Sequence, residues 1–135
     1  LVLEPELDKI TWYGNQELTS HIWSNLIDNA IKFTPAGGEI TIKASMDEEW
    51  LTVSVQDSGI GIPPDIQSRI FDKFYQGDTS HKKKGNGLGL ALVHQIVTLY
   101  GGHITLESIP DLGSTFTVCL PAHPSSELES SLPLP

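Results

Sequence analysis

The stretch of sequence that decides the fold is His21-Ile-Trp-Ser-Asn25-Leu-Ile-Asp-Asn29-Ala-Ile-Lys32-Phe33-Thr-Pro35. Its apolar residues recur with the period of an α-helix and share one broad arc: Ile22, Trp23, Leu26, Ile27, Ala30 and Phe33. Asn25 and Asn29 border that arc one turn apart, although asparagine is a mediocre helix former. One interpretation is a ligand site, because amide oxygens bind hard cations and Lys32 can meet a phosphate. The other is a solvated face that tolerates two asparagines, and the stretch alone leaves both open.

The composition indicates one acidic, soluble domain. A chain of 135 residues with 39% hydrophobic content can build one core. The formal net charge of -9 argues against nucleic acid or an anionic membrane as partner, since both favour a basic face. The single cysteine, Cys119, cannot form an internal disulfide, and no apolar run approaches the roughly 20 residues that span a bilayer. Because the chain begins with Leu1 rather than methionine, we expect it to be a piece of a longer protein.

Apolar residues alternate with polar ones in two pairs of predicted strands. The first pair spans residues 40–46 and 51–55 and is joined by an Asp47-Glu48-Glu49 turn, and the second spans residues 104–106 and 116–120. A further β-prone run covers residues 10–13. These segments predict a sheet that is mostly antiparallel.

The first predicted hairpin leads into Asp57-Ser-Gly59-Ile-Gly61-Ile-Pro-Pro64. This segment puts a carboxylate at the end of a strand, followed by two glycines that allow backbone to approach a ligand closely. The alternative is a plain glycine turn in which Asp57 is only a turn or cap residue. Pro64 and the residue after it suit the start of a short helix that continues through Phe71.

Hydrophobic periodicity is absent from residues 75–86, where turn residues and three lysines predict a mobile loop. The loop ends in Gly85-Asn-Gly87-Leu-Gly89-Leu90, directly before an amphipathic helix that stops at Gly101-Gly102. Glycines that open a helix leave N–H groups for a ligand, and the helix dipole favours phosphate there. The lysine run can attract phosphates, although such runs are more often merely solvated.

Five motifs in this order resemble the ATP-binding catalytic domain of sensor histidine kinases, a branch of the gyrase, heat-shock chaperone, histidine kinase and mismatch-repair ATPase superfamily. They are Asn25 to Thr34, Asp57 to Ile62, Ile70 to Tyr75, Gly85 to Leu90, and Gly113 to Phe116. The resemblance implies an α+β fold, a two-layer α/β sandwich. In it, a mixed, mostly antiparallel sheet of about five strands is covered on one face by about three helices, with a mobile ATP lid. Residues 1–121 would form this domain and residues 122–135 a disordered tail.

The resemblance also implies ATP and Mg²⁺ as ligands and a role for each motif. Asn29 would ligate Mg²⁺, while Asn25 and Lys32 would meet the phosphates and act in phosphoryl transfer. Asp57 would accept a hydrogen bond from the adenine amino group, with Thr115 supporting it. The other expected nucleotide contacts are Phe33, Gly59, Gly61, Ile62, Tyr75, Gly85, Gly87, Leu88 and Gly89.

Position 25 separates transfer from hydrolysis. Relatives of the gyrase type carry there a glutamate that activates water, whereas Asn25 cannot accept a proton. Transfer of the γ-phosphoryl group to a histidine therefore fits better than ATP hydrolysis. None of the five histidines is followed by the Glu or Asp typical of the acceptor. We therefore expect an upstream dimerisation and phosphoacceptor domain, a response regulator as partner of the whole kinase, and little turnover by this chain alone.

Two alternatives stay open at this point. They stay open because Gln76 stands where an arginine is common in the family. Lys82 or Lys84 would have to supply the missing positive charge, and lysine lacks the bidentate fork of arginine. A non-catalytic nucleotide-binding regulatory module is one alternative, and a serine kinase or ATPase of the same superfamily is the other. In each case we expect a cytoplasmic location, either as a free protein or as the cytosolic part of a membrane-anchored sensor.

Overall fold

The computed structural model describes residues 2–3, 12, 14–71 and 90–123 of the 135-residue chain. Within these residues five strands and three helices follow one another along the sequence. They are β1 (Val2–Leu3), α1 (Gln16–Phe33), β2 (Ile40–Met46), β3 (Trp50–Asp57), α2 (Pro64–Gln67), α3 (Leu90–Leu99), β4 (His103–Ile109) and β5 (Gly113–Pro121).

Helix α1 contains the two asparagines and begins earlier than their apolar pattern alone indicates. Asn15 caps it, because its side-chain oxygen accepts a hydrogen bond from the N–H of Leu18 at 2.9 Å. A stripe of side chains at helical spacing is 0–3% exposed: Leu18, Ile22, Leu26 and Ala30. The helix ends at Phe33, and the backbone of Thr34 is extended. Pro35 causes this ending, because a proline sterically disfavours the helical conformation in the residue before it.

The sheet has the order β1-β2-β3-β5-β4, and all its pairs are antiparallel except the parallel pair of β1 with β2. The prediction of a mixed, mostly antiparallel sheet with helices is therefore confirmed. The short parallel strand, however, is Val2–Leu3 rather than the β-prone run at residues 10–13. Of that run only Trp12 is described, and it lies in no strand.

The core lies between one face of the sheet and helices α1 and α3. Burial alternates along β5, where Ser114, Phe116, Val118 and Leu120 are 0–5% exposed and their neighbours are half-buried. In α3 the corresponding buried residues are Leu90, Val93, Ile96 and Val97. This alternation is the signature of a sheet covered on one face, and it gives the predicted two-layer sandwich.

Two predicted boundaries need correction. Helix α2 ends at Gln67 instead of continuing through Phe71, because the N–H of Arg69 bonds three residues back to Ile66 at 2.9 Å and tightens the chain into a turn. Ala122, predicted to start the tail, is 4% exposed, and its N–H donates to the Glu49 carbonyl at 2.9 Å. The packed region thus extends past the predicted boundary, and residues 124–135 lie outside the described residues.

Candidate functional site

Three polar residues of α1 share one face of the helix. At 100° per residue Asn25, Asn29 and Lys32 fall within about 60° of one another. They differ in depth, since Asn29 is 5% exposed, Asn25 is half-buried and Lys32 is exposed. The Asn25 amide nitrogen donates to the His21 carbonyl at 2.7 Å, which leaves its oxygen pointing away from that carbonyl. The face therefore carries two amide side chains beside a cationic side chain.

This donor set fits a magnesium ion. Mg²⁺ prefers oxygen ligands and keeps several waters, so one or two side-chain oxygens are enough to hold it next to phosphates. Asn29 meets that requirement, with Asn25 one turn away. Among the described residues no group of three or more His, Cys, Asp or Glu side chains is arranged to hold a metal by itself. A cation bound here would accordingly depend on a ligand to complete its coordination.

Asp57 ends strand β3 as a buried carboxylate. It is 7% exposed, and its Oδ1 accepts the N–H of Gly59 at 2.9 Å. Burial raises the pKa of the Asp57 carboxyl above its ordinary value, while hydrogen bonds from the N–H groups of Gly59 and Ser114 oppose that rise. A buried carboxyl with a perturbed pKa at the end of a strand is typical of a functional position.

The two glycines after Asp57 are required by the packing of the chain itself. A Cβ on Gly59 would lie 2.1 Å from the Phe33 carbonyl oxygen, and one on Gly61 would lie 2.4 Å from that of Ile109. Gly61 also has a φ of 77°, which side chains disfavour. The loop is thus pressed between the end of α1 and the β4–β5 turn, where the sequence suggested only close approach to a ligand.

Two predicted wall residues adjoin this loop. Phe33 is half-buried at the end of α1 and packs against the core, and its carbonyl accepts the N–H of Ile60 at 3.2 Å. Ile62 follows Gly61 and is 7% exposed. The helix carrying the asparagines and the loop carrying Asp57 are therefore joined directly.

The structure does not bring Thr115 to Asp57. Thr115 pairs with Gln56 and Glu107, whereas Ser114 is the residue in register with Asp57. Because successive side chains of a strand point to opposite faces, Thr115 faces away from the helices while Ser114 is 5% exposed beneath them. Ser114, not Thr115, is therefore the residue placed beside Asp57, and the inward alternation of Phe116, Val118 and Leu120 could have shown this from the sequence.

Five predicted contacts lie outside the described residues: Tyr75, Gly85, Gly87, Leu88 and Gly89. The same holds for the predicted lid and its lysines. The helix expected after the glycine motif is present and begins at Leu90, which is 1% exposed. The phosphate-binding loop therefore stays a prediction, although the helix it was expected to open is in position.

Sequence reasoning missed two residues that hold the loop. Ser108 and Gln67 form hydrogen bonds with the backbone of Ile62. Ser108 continues the inward alternation of Ile104 and Leu106 in β4, which marks it as a polar residue on the covered face. Gln67 carries no such signal, since it lies in the short helix α2.

No helix among the described residues is long and apolar enough to cross a membrane.

Comparison with known proteins identifies similar sequences and folds. Residues 14–124 match the family described as histidine kinase-, DNA gyrase B-, and HSP90-like ATPase. The circadian input-output histidine kinase CikA of Thermosynechococcus vestitus (strain NIES-2133 / IAM M-273 / BP-1) is 47% identical over 124 residues, which cover 90% of this chain and 17% of that protein. The chain spans less than a third of the length of CikA and of two further sensor kinases that it matches.

Solved structures share the fold. The mycobacterial sensor histidine kinase MprB superposes with a TM-score of 0.70 at 28% identity, covering 84% of this chain and 78% of that one. Full-length ShkA, solved in complex with AMPPNP, superposes with a TM-score of 0.66 at 32% identity, covering 80% of this chain and 22% of that one. The fold is therefore shared with sensor histidine kinases.

Proposed function

The chain belongs to the family of histidine kinase-, DNA gyrase B- and HSP90-like ATPases, and we propose that it is the ATP-binding catalytic part of a sensor histidine kinase. In this proposal it binds Mg-ATP and donates the γ-phosphoryl group to a histidine of a separate domain in two-component signalling. The observation that carries the proposal is the asparagine face of α1, joined to a loop that holds a buried carboxylate. Similarity to a histidine kinase at 47% identity over 124 residues supports it.

Adenine recognition is assigned to Asp57. A carboxylate accepts hydrogen bonds and donates none, so it matches the amino group of adenine and repels the carbonyl oxygen of guanine at the same position. Its burial strengthens that preference, because a buried acceptor left without a donor costs free energy. The base would lie against Gly59 and Gly61, with Ile62 and Phe33 on either side.

The triphosphate is assigned to the face of α1. The Lys32 ammonium would neutralise phosphate charge as a point charge, and the Asn25 amide would contact phosphate oxygens. Bound Mg²⁺ would supply charge neutralisation between the phosphates, with Asn29 as its protein ligand. Catalysis by these residues would rest on positioning and electrostatic stabilisation, since none of them acts as a nucleophile.

The proposed step transfers a phosphoryl group without water. The bond between the γ-phosphorus and the bridging oxygen of ATP breaks, a phosphorus–nitrogen bond to the acceptor imidazole forms, ADP leaves, and the imidazole N–H proton passes to solvent. Asn25 has no basic atom with which to activate water, so the site favours this transfer over hydrolysis. The acceptor domain, a response regulator and a cytoplasmic location belong to the proposal for the whole protein.

The test uses the intact protein with its upstream domain and ATP labelled at the γ-phosphate. We expect a label on the protein that is labile in acid and stable in base, as phosphohistidine is. Asn29→Ala should remove most of it, while Ser24→Ala, an exposed position of the same helix, should not. An acid-stable label would contradict the proposal in favour of a serine kinase. Full labelling of Asn29→Ala would contradict the role of Asn29.

A further inference from the structure

Beyond Ser58, which exchanges hydrogen bonds with Glu39, the loop between Asp57 and the start of α2 is held by the protein at two residues. The first is Ile60, whose N–H donates to the Phe33 carbonyl at 3.2 Å and whose carbonyl accepts the N–H of Asp111 at 2.7 Å. This residue therefore bridges the end of α1 and the β4–β5 turn. Asp111 itself has a φ of 70°, so the turn takes an uncommon backbone conformation where it meets the loop.

The second anchored residue, Ile62, is held by side chains. Its N–H donates to the Ser108 hydroxyl at 2.7 Å, and its carbonyl accepts the Gln67 amide at 2.7 Å. The same Gln67 nitrogen lies 3.4 Å from the Ser108 carbonyl oxygen. Two bridges, one on each backbone group of Ile62, thus connect the loop to strand β4.

The Ser108 hydroxyl also reaches the strand that pairs with Asp57. It donates to the Gly113 carbonyl at 3.2 Å and lies 2.8 Å from the Ser114 hydroxyl. A hydroxyl has one proton and two lone pairs, so bonds from Ile62 and Ser114 together with the one to Gly113 use its full capacity. Ser114 in turn is in register with Asp57. Ser108 is therefore the junction between the loop and the carboxylate at its start.

We propose that Ser108 is a positioning residue for nucleotide recognition: it holds Ile62, and with it the loop from Asp57 to Ile62, in the conformation that accepts adenine. This inference rests on the proposed function, in which that loop binds the base. Ser108 acts through Ile62 and Ser114 and has no contact of its own with the nucleotide.

Removal of the hydroxyl leaves the Ile62 N–H without its partner, so the loop spends more time in open conformations. The measured dissociation constant for ATP is inversely proportional to the fraction of molecules whose loop has the binding-competent conformation, so it rises as that fraction falls. We expect Ser108→Ala to weaken ATP binding about tenfold, which corresponds to about 1.4 kcal/mol. Ser108→Thr retains the hydroxyl and should restore most of the affinity.

The experiment is calorimetric titration of the 135-residue chain with Mg-ATP, for the wild type and four variants. Thr105→Ala is the matched control, because it removes a hydroxyl from an exposed position of the same strand; it should bind ATP as the wild type does. Gln67→Met removes the other bridge without altering the sheet and should weaken binding severalfold, which keeps the inference testable if Ser108→Ala folds poorly.

Amide hydrogen exchange provides the readout that a general loss of stability would not give. In Ser108→Ala without nucleotide, the amides of Ile60 and Ile62 should exchange faster while those of β3 and β5 keep their protection. Equal ATP affinity of the wild type, Ser108→Ala and Gln67→Met would overturn the role of Ser108 and leave the proposed function standing. Absence of ATP binding by the wild type would overturn the proposed function and this inference with it.

Discussion

The β2–β3 hairpin carries an aspartate at each end, and the two differ in burial and in the direction in which their pKa is shifted. Asp47 lies exposed in the turn, and its Oδ1 accepts the N–H groups of Glu49 and Trp50 at 2.8 and 2.7 Å. Asp57 lies at the far end of the hairpin, 7% exposed, and its Oδ1 accepts the N–H of Gly59 at 2.9 Å. Both carboxylates thus accept backbone N–H groups in similar geometry.

Their pKa values nevertheless move in opposite directions. The N–H groups of Trp50 and Glu49 lower the pKa of Asp47, whereas desolvation raises that of Asp57 against the pull of its own N–H donors. The first carboxylate stabilises a turn. The second is maintained against a desolvation penalty, which is the usual mark of a group kept for binding rather than for stability. Local hydrogen bonding therefore does not distinguish an aspartate that stabilises a turn from one proposed to bind a ligand, whereas the burial of the carboxylate does.

Truncation of each aspartate should give the largest difference between the two ends. We expect Asp57→Ala to weaken Mg-ATP binding by about 10- to 200-fold, because a hydrogen bond to a buried charged acceptor is worth about 1.5–3 kcal/mol. Asp47→Ala should stay within about twofold of the wild type. Equal losses for both variants in calorimetric titration would erase the distinction drawn between them.

Substitution by alanine beside each aspartate should separate the two ends in stability. Gly59→Ala places a Cβ against the Phe33 carbonyl, so we expect it to lower the free energy of unfolding by about 1–3 kcal/mol. Glu48→Ala, in the exposed turn, should change it by less than about 0.5 kcal/mol. Urea unfolding measures both, and an unaffected Gly59→Ala would show that the loop is not pressed onto α1.

Neutralisation of each carboxylate should change stability with opposite signs. Because the folded-state pKa of Asp57 is raised, its ionisation opposes folding above that pKa, so Asp57→Asn should be more stable than the wild type near neutral pH. The advantage should shrink as the pH falls through that pKa and vanish below the ordinary value of 3.8. Because the pKa of Asp47 is lowered, Asp47→Asn should be less stable near neutral pH, and that deficit should disappear as the wild-type carboxyl is protonated.

These signs are checked by urea unfolding of both variants and the wild type at a series of pH values. An Asp57→Asn protein that is less stable than the wild type near neutral pH would mean that the N–H donors outweigh the desolvation of Asp57.

The smallest effect is expected at Thr34, whose buried hydroxyl oxygen has no hydrogen-bond partner among the described residues. Thr34→Val replaces the hydroxyl with a methyl group of similar size. It should leave the free energy of unfolding unchanged or raise it by up to about 1 kcal/mol. ATP affinity should not change. A clear loss of ATP affinity would instead assign this hydroxyl to the binding site, beside Asp57 as a second buried polar group kept for a ligand.

Much of this architecture could be predicted from periodicity. The helical spacing of Ile22, Leu26 and Ala30 predicts α1, and the alternation around Val55 and Phe116 predicts the central strand β3 and its neighbour β5. Both patterns consist of apolar residues that repeat with a fixed period, so they can be recognised from the sequence without any knowledge of tertiary contacts.

The details of the site depend on contacts distant in sequence. Ser108 meets Ile62 across 46 residues, and no local pattern specifies that hydrogen bond. The resemblance implied Thr115 as the support of Asp57, because a motif gives order along the chain but not the face of a strand. The strand Val2–Leu3 was missed for a related reason, since two residues are too few to show any alternation.

The most direct test of the central claim compares ATP with inosine triphosphate, which carries a carbonyl oxygen in place of the adenine amino group. Calorimetric titration of the wild type with both, in the presence of Mg²⁺, should show a preference for ATP of at least about tenfold, because Asp57 would face an acceptor instead of a donor. In Asp57→Asn, whose amide can donate as well as accept, that preference should fall to a few-fold or less. A wild type that binds the two nucleotides equally, or an Asp57→Asn variant that keeps the full preference, would contradict the assignment of Asp57 as the adenine-reading residue.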